Sequence, residues 1–266
     1  MQQLKSIGKI FFGLGIAGIG VLHFIYPGFR PVLLPIPPEA TQNLHFLVYL
    51  TGAVLIVAGI CIAIIQNVKT ISLFLGLLLL LFVIIGHLPN RLTNNPGILG
   101  AWTDALKLLA LSGGAFIIST LYPDTKNNRL ISSIEKMALC GKYFFALMLI
   151  IFGIDHFLYA DFVKTLVPSW IPGQLFWTYF GGIALIGSGL AVFLNFKPRA
   201  ISLLLGAMLF IWLIVLHIPR AIVAPRADNG NEWTSVLQCL AFIGIAVLYP
   251  YSNNARASLS RANDDL

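Results

Sequence analysis

Apolar runs of membrane-spanning length recur along the 266 residues, at roughly 7–26, 44–66, 70–88, 102–122, 143–160, 175–195, 198–218 and 233–250. A bilayer core takes about 20 residues of apolar helix to cross. Inside it every backbone polar group must be satisfied within the protein, which leaves helices or closed barrels. The runs are continuous and lack the alternation of barrel strands, so helices are expected. Charged residues make up 10% of the chain and the mean hydropathy is +0.87, against roughly 25% charge in soluble domains. The expected fold is an all-α membrane protein with eight transmembrane helices.

The runs are two copies of one unit. At a shift of 133, His23-Phe24, Tyr26, Phe29 and Pro35 fall on His156-Phe157, Tyr159, Phe162 and Pro168. At 130, Gly52, Gly59, Gly76, His87 and Pro89 fall on Gly182, Gly189, Gly206, His217 and Pro219. One further residue brings Trp102-Thr103 onto Trp233-Thr234, and Leu106, Leu109, Ala110 and Gly113 onto Leu237, Leu240, Ala241 and Gly244. Apolar matches alone are cheap in such a chain, whereas ordered matches of His, Pro and Trp are not. The organisation read from this is a repeat over 1–122, a charged linker over 123–142, a second repeat over 143–251 and a polar, frayed tail over 252–266. Four helices per unit bring the second copy into the membrane in the orientation of the first. The expectation is two parallel tandem four-helix bundles, related by an axis along the membrane normal like a fused homodimer.

The net charge of +7 fits the positive-inside rule. Eleven Lys and Arg lie at the N-terminus, the 66–70 turn, the linker, 195–199 and the tail, against five in the opposite loops. That places both termini in the cytoplasm, in a cytoplasmic (inner or plasma) membrane, with all five histidines toward the outer face. No basic helix or aromatic platform suggests nucleic acid. Cys61, Cys140 and Cys239 form no C-x-x-C pair, which disfavours a disulfide relay. No A-x-A-like cleavage site follows His23, so a retained first helix is expected.

Chemistry has few places to reside. His23 and His156 end the first helix of each unit, and His87 and His217 end the third, in His-Leu-Pro-Asn-Arg91 and His-Ile-Pro-Arg220. Histidines at this shallow depth serve either as helix-end caps bonded to loop carbonyls, or as ligands. Haem ligation and a metal site lack supporting features, there being no H-x-x-x-H spacing. A hydrogen bond to a quinone or other polar headgroup fits imidazole in apolar, aromatic surroundings. The copies differ at Asp155, where the first has Leu22, and at Lys107, where the second has Gln238. Those two residues are expected either to build one polar site, or, for Lys107, to snorkel and pair with Asp104. Arg91 and Arg220 suit an anionic group or lipid phosphates, and Trp233, with Trp102, Trp170 and Trp177, an interfacial belt. No G-x-S-x-G, P-loop, G-x-G-x-x-G or H-E-x-x-H is present.

The second copy carries Gly153-x-x-His156-Phe157, then Leu166-Val167-Pro168-Ser169-Trp170-Ile171-Pro172. Gly181-Gly182, Gly187-x-Gly189, Arg199, His217-Ile218-Pro219 and Trp233-x-x-x-Leu237-Gln238 follow. This pattern resembles the DoxX-like family, four-helix membrane proteins related to the DoxD subunit of thiosulfate:quinone oxidoreductase. The likeness covers about 143–250 closely and 10–120 more loosely; the first copy has Ile36-Pro37-Pro38-Glu39 in place of Ser-Trp-Ile-Pro. It implies a redox-associated subunit that binds a quinone or another small lipophilic ligand near the outer face. Membrane lipids and another membrane or peripheral redox protein are its implied partners. The alternative is a non-catalytic scaffold, assembly factor or small-molecule carrier.

Overall fold

The computed structural model of the protein describes residues 2–122 and 129–264, by backbone alone at 38, 129–133 and 253–264. Among the described residues the fold is all-helical, and eight helices are long and apolar enough to cross a membrane. They are α1 (Gln2–Ile25), α2 (His45–Ile64), α3 (Lys69–Thr93), α4 (Thr103–Thr120), α5 (Gly141–Leu158), α6 (Gln174–Phe193), α7 (Pro198–Val223) and α8 (Asn231–Asp264). The linker contributes a short helix, Arg129–Ala138, and Glu135 on it pairs with Lys69 at 2.6 Å. Residues 123–128 of the linker lie outside the described residues. The tail expected to fray continues α8 as far as Asp264.

The third helix of each copy does not stop at its histidine. A π-helical turn, Val83–His87 in α3 and Leu213–His217 in α7, leads into a final α-helical turn, Leu88–Thr93 and Ile218–Val223. Proline lacks the N–H donor, and its ring crowds the carbonyl four residues back, which normally breaks a helix. Here the wide turn just ahead of Pro89 and Pro219 absorbs that conflict, and the helix runs on. Such turns concentrate at functional positions.

Helices in lipid gain little from hydrophobic burial against one another, so close packing of small residues and interhelical hydrogen bonds hold them together. In α1, Gly13 meets Gly59 of α2 so closely that a side chain on either would collide with the other's carbonyl. The opposite face of α1 packs on α8: a Cβ on Gly244 would lie 2.6 Å from the Gly8 carbonyl oxygen. The repeat-related contact joins α4 to α5, where a Cβ on Gly141 would lie 2.5 Å from the Gly113 carbonyl oxygen. Within each copy, Ser112 of α4 donates to the Gly76 carbonyl of α3 at 2.7 Å, and Ser202 of α7 to the Ala246 carbonyl of α8 at 2.7 Å.

The packing units therefore differ from two self-contained tandem bundles. The first hairpin of each half, α1–α2 or α5–α6, leans on the last helix of the other half, and α4 meets α8 at the centre. There Gly114 of α4 lies against Ile245 of α8 and Phe12 of α1. The glycine pairs supply the physical reason: Gly8 with Gly244 and Gly113 with Gly141 permit backbone approach between halves. α2, α3, α6 and α7 turn most of their surface outward, toward what would be lipid, while α1, α4 and α8 are the most enclosed. At the end opposite the histidines, Lys9 is buried, donating to the Ile65 carbonyl at 2.7 Å and lying 5.3 Å from the Tyr122 ring centre. Its repeat equivalent Lys142 is buried too.

Candidate functional site

The four repeated histidines come to the same end of the bundle and divide into two kinds. His23 and His156 lie near the ends of α1 and α5, and each Nδ1–H donates to the carbonyl one turn back, Ile19 at 2.9 Å and Phe152 at 2.7 Å. Those bonds stay within the histidines' own helices and are not the loop-carbonyl caps expected from sequence. They leave each Nε2 as a bare acceptor; that of His23 is buried without a partner. The His156 ring also stacks on Trp212 of α7, 6.1 Å between centres at 17°.

His87 and His217, on the π-helical turns, differ sharply. His87 is 0% exposed, and its Nε2 donates to the Val32 carbonyl at 3.0 Å. The loop supplying that carbonyl is clamped by Arg30. The buried guanidinium donates to the carbonyls of Tyr26, Pro27, Gly28 and, across the halves, Asn229. Asn229 returns a bond from Nδ2 to the Pro27 carbonyl, and the Tyr26 hydroxyl donates to the Pro225 carbonyl, both at 2.6 Å. Burial pulls the Arg30 guanidinium down to about 10. This is the desolvation cost of a buried cation met largely by neutral carbonyls. The Tyr26 ring leaves no room at Gly230, whose φ of +79° itself favours glycine.

The second copy has no such clamp. Position 163, the equivalent of Arg30, is Val163. Tyr159, the equivalent of Tyr26, only accepts from the Gly100 N–H at 3.1 Å. An open hollow of about 480 Å³ lies beside it, lined by Phe157, Tyr159, Asp161, Phe162, Leu175 and Tyr179. At its rim Lys164 bonds Asp161 at 2.6 Å and holds that carboxyl below the usual range. Among the described residues no hydrogen-bond partner engages the His217 imidazole, which is only half-buried.

Charges from both halves gather between the two π-helical turns. Lys107 of α4 pairs with Asp104 at 3.0 Å, and Asp104 also lies within charge range of His87 and Arg91. Lys107 in turn lies within charge range of His217, as do Arg220 and Glu232. Arg220 grips Glu232 with two bonds, Nε to Oε2 at 3.1 Å and a terminal nitrogen to Oε1 at 2.5 Å. The Arg91 Nε is buried without a partner.

The structure thus brings His87, Arg91, Lys107, His217 and Arg220 into one cluster, together with Asp104 and Glu232. It does not bring Asp155 into contact with Lys107. Asp155 is 7% exposed and both its carboxyl oxygens are buried without a hydrogen-bond partner, whereas Lys107 takes Asp104. An i,i+3 partner is in reach of any rotamer change, so the local pair wins over the interhelical one. Trp233 sits half-buried on the first turn of α8, next to Glu232. Glu232 and Arg30 were not singled out by sequence. Neither carried a signal: six of the ten acidic residues (Glu39, Asp104, Asp155, Asp161, Asp228 and Glu232) lie on the histidine side, so Glu232 did not stand out, and the partners of Arg30 are carbonyls.

Fold and cluster together give a helical protein of the multi-pass membrane class, with a polar cluster between its two halves. A family model described as Domain of unknown function (DUF8561) matches residues 145–257, so the second copy is similar to that domain. No curated protein and no solved structure matches the chain.

Proposed function

We propose that the protein is a redox-associated, DoxX-like membrane subunit that binds a quinone or another small lipophilic ligand near the outer face. In this reading the repeats descend from a fused homodimer of parallel units, set in a cytoplasmic membrane with both termini inside. The carrying observation is His217: a half-buried imidazole with no hydrogen-bond partner among the described residues, ending a π-helical turn within charge range of Lys107, Arg220 and Glu232. Ionisable groups at membrane depth carry a cost that function commonly explains. A lipophilic ligand site is mostly apolar with a few convergent polar groups, and His217 lies near the end of the apolar helix α7, within charge range of a few such groups.

The chain's own residues would bind and orient the ligand. The open imidazole nitrogens and the unused N–H groups of Lys107 would hold a headgroup oxygen, and the flanking apolar surface would take its tail. The matched ion pairs Lys107–Asp104 and Arg220–Glu232 favour a neutral headgroup over an anion beside His217, since Lys107 and Arg220 already have their counter-charges.

The test is mass spectrometry of an organic extract of the gently purified protein, with a visible spectrum of the same sample. A stoichiometric quinone, absent from His217→Gln protein, supports the reading. Bulk phospholipid with a featureless spectrum sinks it in favour of a scaffold or carrier.

A further inference from the structure

We infer that the duplicated protein holds one ligand site rather than two: the second copy's π-helical turn is open at His217 and completed across the halves by Lys107, while the first copy's turn is sealed. This rests on the ligand-binding reading above and deepens it by fixing the number and composition of the site.

Three separate asymmetries point the same way. First, the ring of His87 is closed off by the Val32 carbonyl, whereas His217 has no such partner among the described residues. Secondly, the loop over His87 is clasped by Arg30 onto Asn229, whereas the equivalent loop of the second copy carries Val163 and borders the open hollow at Tyr159. Thirdly, the helix seam beneath the turn is tighter in the first copy. A Cβ on Gly76 would lie 2.5 Å from the Phe116 ring, but one on Gly206 would meet only Val247, at 3.6 Å. Phe116 and Val247 occupy equivalent positions, so the second copy has lost most of an aromatic ring's volume there.

The cross-half contribution is equally one-sided. Lys107 extends from the first copy into charge range of His217, and its equivalent in the second copy is Gln238. Lysine offers three donors, of which Asp104 takes one. The remaining donors suit the carbonyl oxygen of a neutral ring. Gln238 is neutral, so the second copy brings no equivalent cation across to His87.

The experiment is histidine carbethoxylation of the full-length protein in detergent, read by peptide mass spectrometry, with and without a decyl-substituted benzoquinone. His45, exposed at the start of α2, is the internal standard for full reactivity. The expected result is that His217 reacts and His87 does not, that the benzoquinone slows His217 alone, and that Lys107→Gln weakens this protection about tenfold, the worth of one charge-assisted hydrogen bond. Equal labelling of His87 and His217, or an inert His217, overturns the single open site. Unchanged protection in Lys107→Gln overturns the cross-half composition. Selective labelling of His217 with no benzoquinone protection leaves the single open site standing and removes the quinone reading instead.

Discussion

His87 and His217 occupy the same place in two copies of one unit, each at the end of a π-helical turn and two residues before a proline. One is wholly enclosed and bonded to a loop carbonyl; the other is half-open with no bonded partner among the described residues. Their helices are alike, so the difference lies in what covers them. A single cation, Arg30, gathers four carbonyls and closes the first loop over its histidine. The second copy has valine there. Duplication lets one copy harden into a structural anchor while the other keeps an accessible polar end.

This contrast can be broken at several points. The largest effect is expected at Arg30. Arg30→Ala strands several buried carbonyls and should lower stability by about 4 kcal/mol, at roughly 1–3 kcal/mol per unsatisfied group with some relaxation. Val163→Ala, its repeat partner, should cost less than about 1 kcal/mol, since it is only half-buried. Thermal unfolding in detergent compares the two, and equal losses would remove the distinction. Next comes the seam. Gly76→Ala should cost about 2 kcal/mol through collision with the buried Phe116 ring. Gly206→Ala should be neutral or gain up to about 1 kcal/mol from helix propensity.

The histidines themselves follow. His87→Gln should destabilise by about 1–2 kcal/mol, because the Val32 carbonyl loses a well-placed donor. His217→Gln should leave the unfolding midpoint within about 0.5 kcal/mol of the parent, as expected of an unbonded side chain. Glu232→Gln should cost about 0.5 kcal/mol, because the Arg220 side chain is 39% exposed and solvent screens the pair. The smallest effect lies at Asp161. Its carboxyl is depressed by Lys164, so any stabilisation is present above the ordinary carboxylate range and is lost as pH falls through the lowered value. The group is exposed, and no shift of the midpoint between about pH 7 and pH 4 is expected from Asp161→Asn relative to the parent.

Sequence made the eight spans and the duplication legible because both rest on patterns local to the chain: run length for one, ordered His, Pro and Trp matches for the other. The exchange of hairpins between halves was hidden. Gly8, Gly113, Gly141 and Gly244 are visible as small residues, but which pairs with which is a tertiary fact. The π-helical turns were hidden for a similar reason. A proline after a histidine reads as a stop unless the helix finds a wider turn to carry it through. At the site, Lys107 with Asp104 was readable from its i,i+3 spacing, whereas the reach of Lys107 toward His217 depends on the placement of α4 beside the other half. Asp155 stood out by the same asymmetry as Lys107, yet it makes no bond to Lys107, which takes Asp104 instead.

The most direct measurement of the interleaved architecture is disulfide trapping in full-length protein with Cys61, Cys140 and Cys239 replaced by alanine. Gly18 of α1 packs against Leu237 of α8, and Leu106 of α4 is the repeat equivalent of Leu237. The expected result is that Gly18→Cys with Leu237→Cys forms an intramolecular crosslink under mild oxidation, and that Gly18→Cys with Leu106→Cys does not. Crosslinking of the Gly18–Leu106 pair instead would mean that each half closes on itself, contradicting the exchange of hairpins and the cross-half site built on it.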